Sequence, residues 1–150
     1  MHDKRIGQRG AVLVEFALVV TFLCLVVFGT ITFGILLGYR QNLTQAATEA
    51  ARAASVQQNQ SYQESAALTA ATAALDELDH RCSSTPQSGI TCTVSAVFAC
   101  PDDTSLACRT VTVTLDNDRH SVVPKVPLLS AFIPHQLHAR TTVIVPGSPP

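Results

Sequence analysis

The chain has 150 residues, 47% hydrophobic and 14% charged, with no Trp and a formal net charge of -1. Residues 11 to 37 hold 21 apolar residues in 27 positions, so the hydrophobic surplus is one segment and the remainder has an ordinary globular composition. One long apolar run with no second excludes a multi-spanning transporter, a small aliphatic remainder excludes a large soluble enzyme, and the near-neutral charge argues against nucleic acid as the main partner.

The N-terminal flank, Met1 to Gly10, carries Lys4, Arg5 and Arg9 against Asp3. From Phe16 to Leu37 there follow 22 residues without a formal charge, which as a helix reach roughly 33 Å and cross the hydrocarbon core of a bilayer. The basic flank predicts a cytoplasmic N-terminus with residues 40 to 150 outside, in a single-pass protein of the cytoplasmic (inner) membrane. A cleavable secretory signal shares the basic start, but its apolar region covers only about 7 to 15 residues.

Glu15 does not fit an inert anchor. A carboxylate in the apolar part of a membrane helix costs roughly 2.5 to 3.5 kcal/mol at mid-depth and ordinarily has a partner. One reading leaves Glu15 at the headgroup level, with the span starting at Phe16. The other is carried by the string Arg9, Gly10, Ala11, Val12, Leu13, Val14, Glu15, Phe16. A basic leader ending in Gly, four apolar residues, a Glu, an aromatic residue and a long apolar helix resemble the processing site of type IV prepilins and pseudopilins. The resemblance implies cleavage between Gly10 and Ala11 by a prepilin peptidase, a membrane aspartic peptidase, and a role in subunit assembly for Glu15, with Phe16 beside it. Cleavage would leave an α-amine on Ala11, and four residues of helix bring Glu15 onto the same face about 6 Å along the axis, where the two charges can neutralise one another.

Beyond the span, Tyr39, Arg40, Gln41, Asn42, Leu43, Thr44, Gln45, Ala46, Ala47, Thr48, Glu49, Ala50, Ala51, Arg52, Ala53 and Ala54 have a texture similar to the TadE-like pseudopilins of Tad (Flp) pilus systems. This resemblance covers about residues 7 to 56 and implies other pilins or pseudopilins, the assembly platform and the bilayer as partners. Phe16 stands where major Flp pilins usually carry Tyr, which, with the chain length, favours a minor pseudopilin over the main fibre subunit.

Leu43, Ala46, Ala47, Ala50, Ala51 and Ala54 recur at helical spacing, so the span is expected to continue outward as a rod to about Gln57. The small face, with Gly29, Gly34 and Gly38, lets another helix approach closely, or reflects helix propensity alone. Ser61 and Glu64 form a capping-box pattern that opens a second helix burying Ala67, Ala71, Ala74, Leu75 and Leu78. Ser83 to Gly89 reads as a loop. Strand-like runs follow at Ile90 to Ala99 and Arg109 to Leu115, joined through Pro101, Asp102 and Asp103 as an antiparallel pair. Asp116 to His120 makes a turn, Pro124 to Pro134 an apolar elbow, and Ala139 to Val145 a final strand. The expected fold is α+β and pilin-like: a long N-terminal transmembrane helix, a second helix and a small antiparallel three-stranded sheet. The expected divisions are a leader (1–10), the transmembrane and extended helix (11–57) and an extracytoplasmic domain (58–150).

Of five Cys, Cys24 lies in the span, and an even number outside, Cys82, Cys92, Cys100 and Cys108, reads as two disulfides. Four cysteines allow three pairings, and spacing alone does not choose among them. Cys82 with Cys92 and Cys100 with Cys108 is preferred because both close short loops. A zinc site from these Cys with His80 or His120 is the competing reading, without close-paired cysteine spacing in its favour. His135 and His138, three apart, would share a face if helical. Asp76, Glu77 and Asp79 form an acidic cluster that a solvated helix end explains. Without a recognisable catalytic motif, metal set or cofactor site, the expectation is a structural subunit and not an enzyme. An unprocessed single-pass protein presenting an extracytoplasmic binding module is the alternative.

Overall fold

The computed structural model describes residues 4–76, 82, 89–117 and 134–149, with backbone alone for 4–10. Predicted features at 77–81, 83–88 and 118–133, including Leu78, the acidic residues Glu77 and Asp79, His80, His120 and most of the apolar elbow, lie outside them. The chain divides into two compact units, Met1–Ile35 and Leu36–Pro150.

Helix α1 spans Lys4–Val56. Proline is absent from this stretch, and two threonines of the apolar stretch turn their hydroxyls back on the helix. Thr21 Oγ1 donates to the Ala17 carbonyl at 2.7 Å and Thr30 Oγ1 to that of Val26 at 2.8 Å.

In the second unit, α2 (Gln60–Leu75) starts from Asn59, whose Oδ1 accepts from the N–H and the hydroxyl of Ser61 at 3.1 and 2.7 Å. The expected capping box on Ser61 therefore does not form. Asn59, an equally good cap two residues earlier, takes the position, and Ser61 becomes a donor inside the first turn. Gln63, Ala67, Ala71 and Leu75 are the buried residues of α2, one helical turn apart.

The sheet contains β1 (Ile90–Val94), β2 (Phe98–Ala99), β3 (Ala107–Asp116) and β4 (Gln136–Val145). All pairings are antiparallel to β3. Both β1 and β2 lie along β3, pairing respectively with its residues 111–115 and 107–108, and β4 also pairs β3 along its full length. The sheet is thus three strands wide although it has four segments. The expected single strand from Ile90 to Ala99 is interrupted at Ser95. Its hydroxyl accepts the Thr110 N–H at 2.9 Å, and its own N–H donates to the Thr110 carbonyl at 2.9 Å, so the side chain stands in for a backbone acceptor while the strand shifts.

One buried cluster joins Leu43, Ala46, Ala47, Ala50, Ala51 and Ala54 of α1 to Ala67, Ala71 and Leu75 of α2 and to the inward residues of β1, β3 and β4. The core is aliphatic, with Leu43, Leu75, Ile90, Leu115, Val111 and Val113 its largest fully buried apolar side chains. The small face of α1 is therefore covered within its own chain.

Candidate functional site

The first unit presents large apolar side chains that stand exposed among the described residues. Leu13, Phe16, Leu18, Phe22 and Phe33 are 65–70% exposed. The stretch from Ala11 to Val56 is long and apolar enough to cross a membrane, and its most apolar 18-residue window has a mean hydropathy of 2.8 with none of it buried. In water such a surface would cost about 25 cal/mol per Å² of apolar area, which a lipid environment removes.

Glu15 projects from this surface. It has no hydrogen-bond or ion-pair partner among the described residues. Ala11 lies four residues earlier on the same helical face, and Phe16 adjoins it. The Gly10–Ala11 peptide lies within α1, and Gly10, like Gly7, has a weak helix propensity. A Cβ added at Gly29, Gly34 or Gly38 would meet nothing within 4 Å, so these glycines answer no packing need among the described residues.

In the second unit, disulfides join Cys82 to Cys92 and Cys100 to Cys108, with Cα separations of 5.3 and 5.1 Å. These close the two short loops, and no thiolate among the four is left for zinc. Cys24 is a free thiol on the exposed face of α1. The two histidines expected to share a helical face do not: His138 is in β4 and His135 just precedes it, and on an extended chain an odd separation points side chains to opposite faces. Asp76 is exposed at the end of α2.

Two polar features of this unit carry no signal in a motif search. Arg109 is only 9% exposed, and its Nε and Nη1 have no hydrogen-bond partner among the described residues. It falls in the inward alternation Ala107, Arg109, Val111, Val113, Leu115, which is the sequence signal that places it. Gln63 Nε2 donates to the carbonyls of Gln57 and Pro146, both at 3.1 Å, tying the α1–α2 connection to the end of β4. Between β2 and β3, Asp103 Oδ1 accepts from the Ser105 hydroxyl at 2.6 Å and its N–H at 2.9 Å. These hydrogen bonds, the hydroxyl's first, hold the Asp103 carboxyl below the usual carboxylate range. Two surface depressions, along Leu68, Thr69, Thr72, Ala73 and Asp76 and along Leu37, Arg40, Gln41 and Thr44, are each lined by one helix and open to solvent. Neither brings together an acid, a base and a nucleophile.

The chemistry thus gathers at the start of α1, where one carboxylate stands at the edge of an apolar helix. Residues 10–52 match the TadE-like protein family. No curated protein and no solved structure matches the chain. The TadE-like segment begins at Gly10, includes Glu15 and Phe16, and ends within α1, so α2 and the sheet lie outside it. The match relates the chain to membrane proteins of the Tad pilus, a structural family whose members carry an N-terminal apolar helix. The single long apolar helix fits a single-pass membrane protein.

Proposed function

We propose that this chain is a minor pseudopilin-like structural subunit of a Tad/Flp pilus assembly apparatus. A prepilin peptidase cuts it between Gly10 and Ala11, and α1 then holds it in the cytoplasmic membrane with residues 58–150 outside. Residues 1–10 are the leader and residues 11–57 the membrane and extended helix. The observation that carries this reading is the Gly10 to Glu15 spacing at the edge of an unpacked apolar helix, inside the TadE-like segment. Glu15, without a partner among the described residues, pairs with the new α-amine of Ala11 in the same or a neighbouring subunit, and each charge lowers the other's cost in the membrane. The open Gly29, Gly34 and Gly38 leave room for the helices of other pilus subunits.

The N-terminal mass of the protein purified from a host with an active prepilin peptidase tests the processing step. A chain beginning at Ala11 is expected, and an intact Met1 refutes it. One observation favours the unprocessed anchor, since the Gly10–Ala11 bond is helical and must unwind to enter a peptidase site. Glu15→Ala separates the two readings. An assembly subunit loses co-purification with its pilus partners while still inserting in the membrane, whereas a passive anchor is unaffected.

A further inference from the structure

The register of the sheet shows which backbone groups of β4 are free. On β3, Thr110 directs its N–H and carbonyl to Ser95, and Asp116 its N–H to Gly89, so the even-numbered residues of β3 face β1 and β2. The odd-numbered residues face β4, a pattern that Asn117 continues by donating to the His135 carbonyl. With Val111 opposite Thr141 and Val113 opposite Ala139, β3 takes up the backbone groups of the odd-numbered residues of β4. The N–H and carbonyl groups of Gln136, His138, Arg140, Thr142 and Ile144 therefore line an edge unpaired among the described residues.

This edge is ten residues long, without proline or an interruption like that at Ser95. Long open edges are templates for another strand. Beside it, on the outer face, stand the exposed side chains of the same five residues, with Arg140 at the centre and Ile144 55% exposed near one end. Asp116 is the one carboxylate at this face among the described residues of β1, β3 and β4, and it pairs with Gln136 at the far end.

Charge decides the occupant. In a symmetric antiparallel pairing with a second copy, even-numbered residues must oppose even-numbered residues. The two registers of greatest overlap set Arg140 against its own counterpart or against Thr142, with the two arginines then diagonal neighbours. Like charges so placed oppose pairing. We propose that the open edge of β4 receives an extended acidic segment of a partner protein as an added strand, with a carboxylate opposite Arg140. Main-chain hydrogen bonds supply the affinity, and the Arg140 pair sets the preference for an acidic strand.

The test uses the full chain in detergent micelles and two N-acetylated nine-residue peptides. Each alternates valine and threonine, and they differ only in a central glutamate or lysine. The glutamate peptide should bind about tenfold more tightly than the lysine peptide. It should slow amide exchange at Gln136, His138, Arg140, Thr142 and Ile144 without changing that at the odd-numbered residues of β4. Arg140→Glu should invert the preference. His138→Pro, which removes an outward N–H that the sheet does not use, should abolish binding while the melting transition stays in place. Equal binding of both peptides, or no protection by the glutamate peptide at millimolar concentration, overturns the proposal. So does concentration-dependent protection of the five amides in the free chain, which would make a second copy the occupant.

Discussion

Replacing Ala50 with Leu tests what the alanine face of α1 is for. Ala50 is fully buried, as are Ala46, Ala47 and Ala54 beside it and Ala67 and Ala71 of α2 in the same cluster. At 100° per residue, the six buried positions from Leu43 to Ala54 span an arc of about 140°, so the helix meets its own core along a broad stripe of methyl groups. Three further carbons at Ala50 have no space unless the elements separate, and overpacking of this kind costs about 1 to 3 kcal/mol. For a unit of this size, the melting transition should fall by roughly 5 to 10 °C. Glu49→Leu adds a similar side chain at an exposed position on the same helix, and its effect should stay within about 0.5 kcal/mol. Thermal unfolding in detergent, read through amide exchange at Val111 and Val113, measures both variants where the sheet closes on the core. Equal effects of the two substitutions would refute the reasoning and reduce the alanines to helix propensity.

Cys100→Ser with Cys108→Ser opens a loop with a sequence separation of 8, and should cost about 2.5 kcal/mol in the chain-entropy account; an unchanged melting transition in the variant would refute this. Arg109→Met removes buried donors that have no acceptor among the described residues, so it should be neutral or stabilising by about 1 to 3 kcal/mol in denaturant unfolding. A loss of stability would show that the guanidinium is satisfied in solution. The Asp103 carboxyl is held low by Ser105, so its contribution to the β2–β3 turn is complete above the ordinary carboxylate range. It is lost as pH falls through the lowered value, below about pH 4. Ser105→Ala should move the Asp103 titration up towards the ordinary range, and an unchanged carbon NMR titration would exclude the hydrogen bonds as the cause.

That a long apolar helix opens the chain was legible in the sequence, because charge and length are local properties, although α1 starts at Lys4 and not at the expected Ala11. The alanine stripe was legible as a helical face, but spacing cannot name what covers it, and the last strand of the sheet that does so, β4, comes some 90 residues later. Ser95 escaped notice because Ser95, Ala96 and Val97 contain no glycine or proline, and the strand break depends on a hydroxyl meeting Thr110 across the sheet. β4 begins three residues before the expected Ala139 for a related reason. Gln136 and His138 read as polar, while the inward Leu137 between them is recognisable only from its pairing with Leu115. Arg109 stood in plain alternation with Val111 and Val113, and its charge argued the other way. Asn59 and Ser61 are both good caps, and composition does not choose between them.

The buried cluster is closed by both early and late parts of the chain, Leu43 to Ala54 of α1 and Leu137 to Val145 of β4. During synthesis the helix emerges first and its alanine stripe stays bare while the following 90 or so residues are added, an interval of roughly 5 to 20 s at ordinary elongation rates. Over that interval the apolar half of α1 is already available to a bilayer, whereas the second unit lacks its final strand. Insertion thus has a head start on folding, and a nascent chain halted before Leu137 would present an anchored helix with an uncovered alanine face, the kind of surface that chaperones and membrane proteases engage.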